Sequence, residues 1–131
     1  MGKKKQKSGP VSVQIDGLDS LRAQLGELDD QVREGAADAL EEAAQEVERD
    51  MMMNVPIEEG TLMASLGHEV DRENLTADVG TQGSGVHYGQ FVEFGTSKMP
   101  AQPFAQPAAE VERANFPARL RRHLGEHLPD S

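Results

Sequence analysis

The chain contains no cysteine and no tryptophan, and only one tyrosine and four phenylalanines among its 131 residues. Without thiols there are no disulfides, thiolate metal sites or cysteine nucleophiles, which is compatible with a reducing compartment. No run of about eighteen apolar residues exists, so no transmembrane helix is expected. The basic start has no apolar region behind it, so no secretory signal is expected either. Met1-Gly2-Lys3-Lys4-Lys5-Gln6 lacks the Ser or Thr that a myristoylation signal needs at position six. A single domain of this length can bury its own core. With few aromatics and a mean hydropathy of −0.58, that core is modest for a lone monomer, a hint of oligomerisation.

Basic residues are also scarce where most of the chain lies. Between Gly9 and Glu110 there are twenty acidic residues against five basic ones, and the formal net charge is −10. Lys3, Lys4, Lys5 and Lys7 crowd the start, and Arg113, Arg119, Arg121 and Arg122 the end. Such a body repels nucleic acid, because binding needs Lys and Arg against the phosphates.

What is present reads as an α+β domain over 11–124, with a disordered basic tail at 1–10 and a frayed tail at 125–131. The basic tail is either merely solvated or an electrostatic arm for DNA or an acidic neighbour. Val11, Val13 and Ile15 alternate with polar residues, a short half-buried strand ended by Gly17. Leu18, Leu21, Leu25, Leu28, Val32, Ala36, Ala39, Ala43 and Val47 then recur at three- and four-residue steps, predicting a helix from about 18 to about 53. Asp19 and Ser20 suit its first turn and Pro56 stops it. Gly26 and Gly35 are soft points where it can break, each costing about 1 kcal/mol relative to alanine. The alanines in its lower half allow another helix or a sheet to approach closely. Its opposite face carries Glu27, Asp30, Glu34, Asp38, Glu41, Glu42, Glu46 and Glu48 with little compensating base. That face is either a solvated surface or an acidic wall toward a channel or a basic partner.

Met51, Met52 and Met53 close the helix, as core filling or as an adaptable surface. A hairpin is expected from about Gly67–Arg72 and Leu75–Val79 around Glu73-Asn74. Gly80, Gly83, Gly85 and Gly89 mark a flexible crossing. A last helix runs from Phe104 to about Leu124, with Pro107 in its first turn and a kink or restart at Pro117.

No active site emerges, and neither a cofactor nor a metal is expected. His123-Leu124-Gly125-Glu126-His127 fits H-x-x-E-H, the inverted zinc-protease pattern, and two histidines four apart can share a metal. A glycine lies between them, however, and no downstream acidic segment supplies a further ligand. Ser65 lacks the first glycine of a nucleophile elbow, and GTQGSGVHYG fits neither a Walker loop nor the dinucleotide fingerprint. His68 and His87 have no spaced partner.

The aromatics that do occur are concentrated. Tyr88, Phe91, Phe94 and Phe104, with Pro100, Pro103 and Pro107, fall in YGQFVEFGTSKMPAQPFAQP, residues 88–107. Tyr88, Phe91 and Val92 sit at helical spacing, Gly95-Thr96-Ser97-Lys98 is a turn, and Met99 to Phe104 is extended. The aromatics are core, interface, or both. The run Phe91-Val92-Glu93-Phe94-Gly95-Thr96-Ser97-Lys98-Met99-Pro100-Ala101, followed by Pro103-Phe104 and Pro107-Ala108, resembles the signature of small tail-completion or head–tail joining (minor tail component) morphogenesis proteins of long-tailed double-stranded DNA phages and prophages. Upstream, Pro56, Gly60, Leu62 and Ser65 match a P-x-x-x-G-x-L-x-x-S element, so the similarity spans about 11–120. The resemblance implies a non-enzymatic α+β protein with a long helix on a small antiparallel sheet and a C-terminal helix. It implies a ring of copies, commonly sixfold, assembled in the bacterial host and placed in the virion where tail tube meets neck or head connector. Its partners would be itself, those neighbours, and double-stranded DNA passing through without sequence-specific binding, with no membrane involved. An acidic wall would let DNA slide. Two other readings stand beside this one. One is a prophage-encoded module capturing a basic partner through the acidic helix; the other is a metal hydrolase using His123, Glu126 and His127.

Overall fold

A computed structural model describes residues 11–16, 30–83 and 86–127. Their hydrophobic periods give strand β1 (Ser12–Ile15), helix α1 (Asp30–Asn54), a short helix α2 (Gly60–Ala64), strands β2 (Leu66–Asp71) and β3 (Thr76–Thr81), then helices α3 (Val86–Phe94) and α4 (Ala105–His127). The fold is α+β: a long helix, a small antiparallel sheet and a C-terminal helix. The basic tail, the part of the expected long helix before Asp30, and Ser84-Gly85 lie outside the described residues.

The sheet has the order β1-β3-β2, antiparallel throughout. Ser12 faces Gly80 and Ile15 faces Ala77; Leu66 faces Thr81 and Asp71 faces Thr76. The hairpin turn is built around Asp71, whose Oδ1 accepts the backbone N–H groups of Glu73 and Asn74. Leu75 was expected to open the second strand. Instead it takes φ +60° in the turn and is wholly buried, so β3 begins one residue later. A left-handed leucine costs on the order of 1 kcal/mol, and burying the side chain offsets that by about 1.5–3 kcal/mol.

Helix α1 lies between the sheet and α4, packing on α4, β2 and β3. Its buried side is Gly35, Ala36, Ala37, Ala39, Leu40, Ala43, Ala44, Val47 and Met51. The small side chains serve both neighbours at once. Gly35 does not break the helix: a Cβ there would meet the His123 carbonyl at 3.1 Å and Leu124 Cα at 3.2 Å, so glycine lets the end of α4 rest on the backbone. Of the three methionines, Met51 is core and Met53 is exposed. The helix α4 continues through Pro117 and runs three residues past the expected end at Leu124, to His127.

The acidic face of α1 has more compensating charge than its own sequence shows. Arg72, the first residue of the turn after β2, reaches Asp38 at 3.0 Å and Glu34 and Glu41 at 3.3 Å. On the other flank Glu42 is met from α4 by Arg119 at 2.5 Å, Arg122 at 2.6 Å and His123 Nε2 at 2.6 Å. Arg119 is also held by the buried Glu112 at 2.7 and 2.9 Å. His68 Nδ1 lies 2.5 Å from Glu48. The bases come from distant parts of the chain, so a scan of the helix alone does not find them. Hydrogen bonds from Arg122, then His123 and Arg119, hold the Glu42 carboxyl at about 2, against the opposing pull of burial. Its folded-state pKa lies below the unfolded value, so its stabilisation is fully present above about pH 4.5 and is lost as pH falls toward about 2. Replacing it by Glu42→Gln is expected to cost about 1–3 kcal/mol at pH 7. In urea unfolding, the deficit relative to wild type should shrink as pH is lowered from 5 to 2.5.

Candidate functional site

The stretch from Tyr88 to Pro107 folds as a joint between α3 and α4, and its residues divide sharply by environment. Gly95 ends α3 with φ +79°, its N–H donating to the Phe91 carbonyl at 2.8 Å. A Cβ there would lie 2.8 Å from Ala101 N, so the position needs glycine for both conformation and space. Thr96 and Met99 form an isolated antiparallel bridge. The chain then returns alongside α3, where Gln102 N–H donates to the Val92 carbonyl at 2.8 Å. Asn54 at the end of α1 donates to the Phe104 carbonyl at 3.2 Å.

Glu93 is the centre of this joint. It is buried, and its Oε1 accepts the N–H groups of Phe104 at 2.9 Å and Ala105 at 2.8 Å while its Oε2 accepts that of Gln106 at 3.0 Å. The first N–H groups of a helix have no partner within it, and a negative charge at that end is favourable. Helix α4 starts from Pro103-Phe104, which offers no Ser, Thr, Asp or Asn to cap it locally. Glu93 supplies that cap from another helix. Sequence reasoning placed Glu93 in the motif without this role; the missing local cap was the available signal.

Val92, Glu93 and Phe104 are buried, with Phe104 among the largest fully buried side chains. Thr96, Pro100, Pro103 and Pro107 are exposed and Gly95 is half-buried. Tyr88 is 42 %, Phe91 43 % and Phe94 70 % exposed. Three of the five aromatics in the chain thus face outward, at three-residue spacing along α3, while Val92 points to the core. Tyr88 and Phe91 meet edge to face with centroids 6.5 Å apart. The Tyr88 hydroxyl donates to Glu59 at 3.0 Å, a contact that raises the phenol above its ordinary pKa. Phe94 looks into a shallow groove of about 280 Å³ beside β1, bordered by Gln106, Ala109 and Arg113.

The other candidates are engaged elsewhere. Ser65 Oγ donates to the Leu62 carbonyl at 2.7 Å, closing α2 as a capping residue does. His123 faces Glu42 on α1, and its Nδ1 is 3.3 Å from Glu126 without hydrogen-bond geometry. Among the described residues no three His, Asp or Glu side chains are grouped to hold a metal. The open depression of about 730 Å³ on the outer face of the sheet is lined by Asp16, Glu69, Asp71, Glu73 and Asp78, with Arg72 the one cation among them, a predominantly acidic surface.

A family model described as "Bacteriophage HK97-gp10, putative tail-component" matches residues 19–95. The match takes in α1, the hairpin and α3 and stops at Gly95, before α4. No curated protein and no solved structure matches the chain.

Burial predicts different outcomes for two phenylalanines of the joint. Phe104→Ala should cost about 3–5 kcal/mol, whereas Phe94→Ala should stay within about 0.5 kcal/mol, both read by urea unfolding at neutral pH. Glu93→Ala should lose about 2–4 kcal/mol by stranding the N–H groups of Phe104, Ala105 and Gln106. Glu93→Gln should lose less, because an amide oxygen still accepts.

Proposed function

Because the chain belongs to the HK97-gp10-like family of bacteriophage tail components, we propose that it is a structural part of the virion at the head–tail junction, where copies of it form a ring around the path of the DNA. The observation that carries the assembly role is the outward row of Tyr88, Phe91 and Phe94. A chain with five aromatics that turns three of them to solvent on one short helix presents a surface suited to protein contact. The net charge of −10 supports the DNA path, since an acidic lining repels phosphate and keeps a duplex from sticking. The outer face of the sheet is the acidic surface best suited to such a lining. No helix among the described residues is long and apolar enough to cross a membrane.

The competing view, that the acidic helix captures a basic partner, is disfavoured by the ion pairs on that helix. Glu34, Asp38, Glu41, Glu42 and Glu48 already face Arg72, Arg119, Arg122, His68 or His123. Native mass spectrometry of the purified chain, alone and with the tail-tube and head-connector proteins of the same phage, tests the proposal. Closed oligomers, or complexes with either partner, are expected. A chain that stays monomeric at every concentration and binds neither partner overturns it.

A further inference from the structure

The three-stranded sheet has two edges, and among the described residues no further strand closes either one. The Thr81 N–H donates to the Val11 carbonyl at 3.3 Å, so Val11, Val13 and Ile15 bond to β3 and the backbone groups of Ser12 and Gln14 point away from it. At the other edge the Gln82 N–H donates to the Ser65 carbonyl at 2.8 Å. By the same alternation the backbone groups of Leu66, His68 and Val70 point outward. Natural sheets blunt such edges with proline, lysine or inward-pointing charge, and Ser12–Ile15 carries none of these. The edges differ in what flanks them. Behind the sheet α4 lies against β1, and α1 against β2 and β3. Beside β1 runs the groove of about 280 Å³ walled by Phe94, Ala109 and Arg113, and Arg113 is exposed, meeting Glu110 at 3.7 Å. Beside β2 runs the acidic side of α1. There Arg72 answers Glu34, Asp38 and Glu41, His68 meets Glu48, Arg49 pairs with Glu46 and Arg33 reaches the Glu73 carbonyl. Carboxylates outnumber arginines on that flank, so it keeps a net negative charge.

We propose that β1 of one copy pairs with β2 of the next, so that the sheets of successive copies join edge to edge into one closed band. The proposal rests on the ring reading above and identifies its contact. A ring of more than two copies needs two different patches that fit each other, whereas one self-complementary patch closes into a dimer. The two edges meet that requirement. Both β1 and β2 run antiparallel to β3, so they are parallel to each other. A rotation about an axis along the strands therefore sets β2 of one copy beside β1 of its neighbour as a parallel pair. Charge favours the same choice. Two β2 edges would oppose acidic flanks, and two β1 edges would bring Arg113 toward its own kind. Pairing β1 with β2 places Arg113 beside the carboxylates of α1. The exposed ring of Phe94 then covers the side of β2 that carries His68 and Val70, both only half-buried in a single copy. Layer widths set the curvature. Three strands span about 14 Å per copy, while α1 and α4 side by side span about 16–20 Å. The wider helix layer takes the outside of the band, and the acidic open face of the sheet takes the inside.

Proline at an outward-pointing N–H tests the pairing, since an edge strand tolerates it there. Gln14→Pro breaks the β1 edge and Val70→Pro the β2 edge, each removing a donor that the single copy does not use. Each variant is checked for a cooperative urea transition and then weighed by native mass spectrometry, alone and mixed. Each alone should lose the ring, and the mixture should give a one-to-one dimer, because one intact edge of each kind remains. In parallel, the cysteine-free background lets single Gln14→Cys and Glu69→Cys variants, both exposed on the open face of the sheet, be mixed and bridged with a short bismaleimide. A mixed cross-linked dimer is expected even where the proline variants fold poorly, because neither cysteine replaces a buried group. Wild-type rings combined with no mixed cross-link overturn this pairing and leave the ring reading intact. Rings that persist in folded proline variants do the same. Gln14→Cys bridged to itself without the Glu69→Cys variant also overturns it, since that is a two-fold contact. A wild type that forms no oligomer, alone or with tail-tube and connector proteins, overturns the ring reading and the pairing with it.

Discussion

The first turn of α4 begins in a buried place, after a proline and a phenylalanine, with N–H groups that need an acceptor. Glu93 provides it from α3, and much of the molecule depends on that one carboxylate. It fixes the angle at which α4 leaves the joint, and so sets α4 against the alanine side of α1. It also fixes the rotation of α3. With Glu93 and its neighbour Val92 turned inward, the residues three apart on the other side, Tyr88, Phe91 and Phe94, must face out. The same bond that completes the core therefore presents the aromatic surface.

Charge is organised on a similar plan. The carboxylates of α1 are distributed on two flanks, one answered by Arg72 from the hairpin turn and one by Arg119, Arg122 and His123 from α4. These contacts tie α1 to both of its layers. They leave the outer face of the sheet, where Glu69 sits directly across from Asp78, as a concentrated negative surface. Like charges opposed in register weaken a sheet slightly, so that surface is kept at some cost to stability.

Much of the fold was legible in the residues. The stripe through Ala36, Ala39, Ala43 and Val47 foretold α1, and the alternation on either side of Glu73-Asn74 foretold the hairpin, because both depend on local periods. The joint was legible as a unit, and its resemblance to phage tail proteins agrees with the family match over 19–95. Its internal logic was not. Grouping Tyr88 and Phe91 with Val92 gave no sign that the helix turns the first two out and the third in. Glu93 lies eleven residues before the backbone it caps, beyond the reach of local capping rules. The bases answering Glu34, Asp38, Glu41 and Glu42 come from 31 to 81 positions away, a separation invisible to any window along the chain. Leu75 moved a strand boundary because its burial outweighs its backbone cost, a tertiary balance no propensity contains.

The position of β1 bears on how the chain reaches this state. Its partner β3 is far along the sequence, Ser12 opposite Gly80, while β2 and β3 are joined by a four-residue turn. Closing the short loop costs little entropy and closing the long one costs more, so the hairpin and α1 can organise early and β1 is added against an edge already formed. The sheet is thus held on one side by a local hairpin and on the other by a pairing that spans most of the chain. The edge made by that long-range pairing runs beside Phe94, so the rim of the aromatic surface is built from residues more than seventy positions apart.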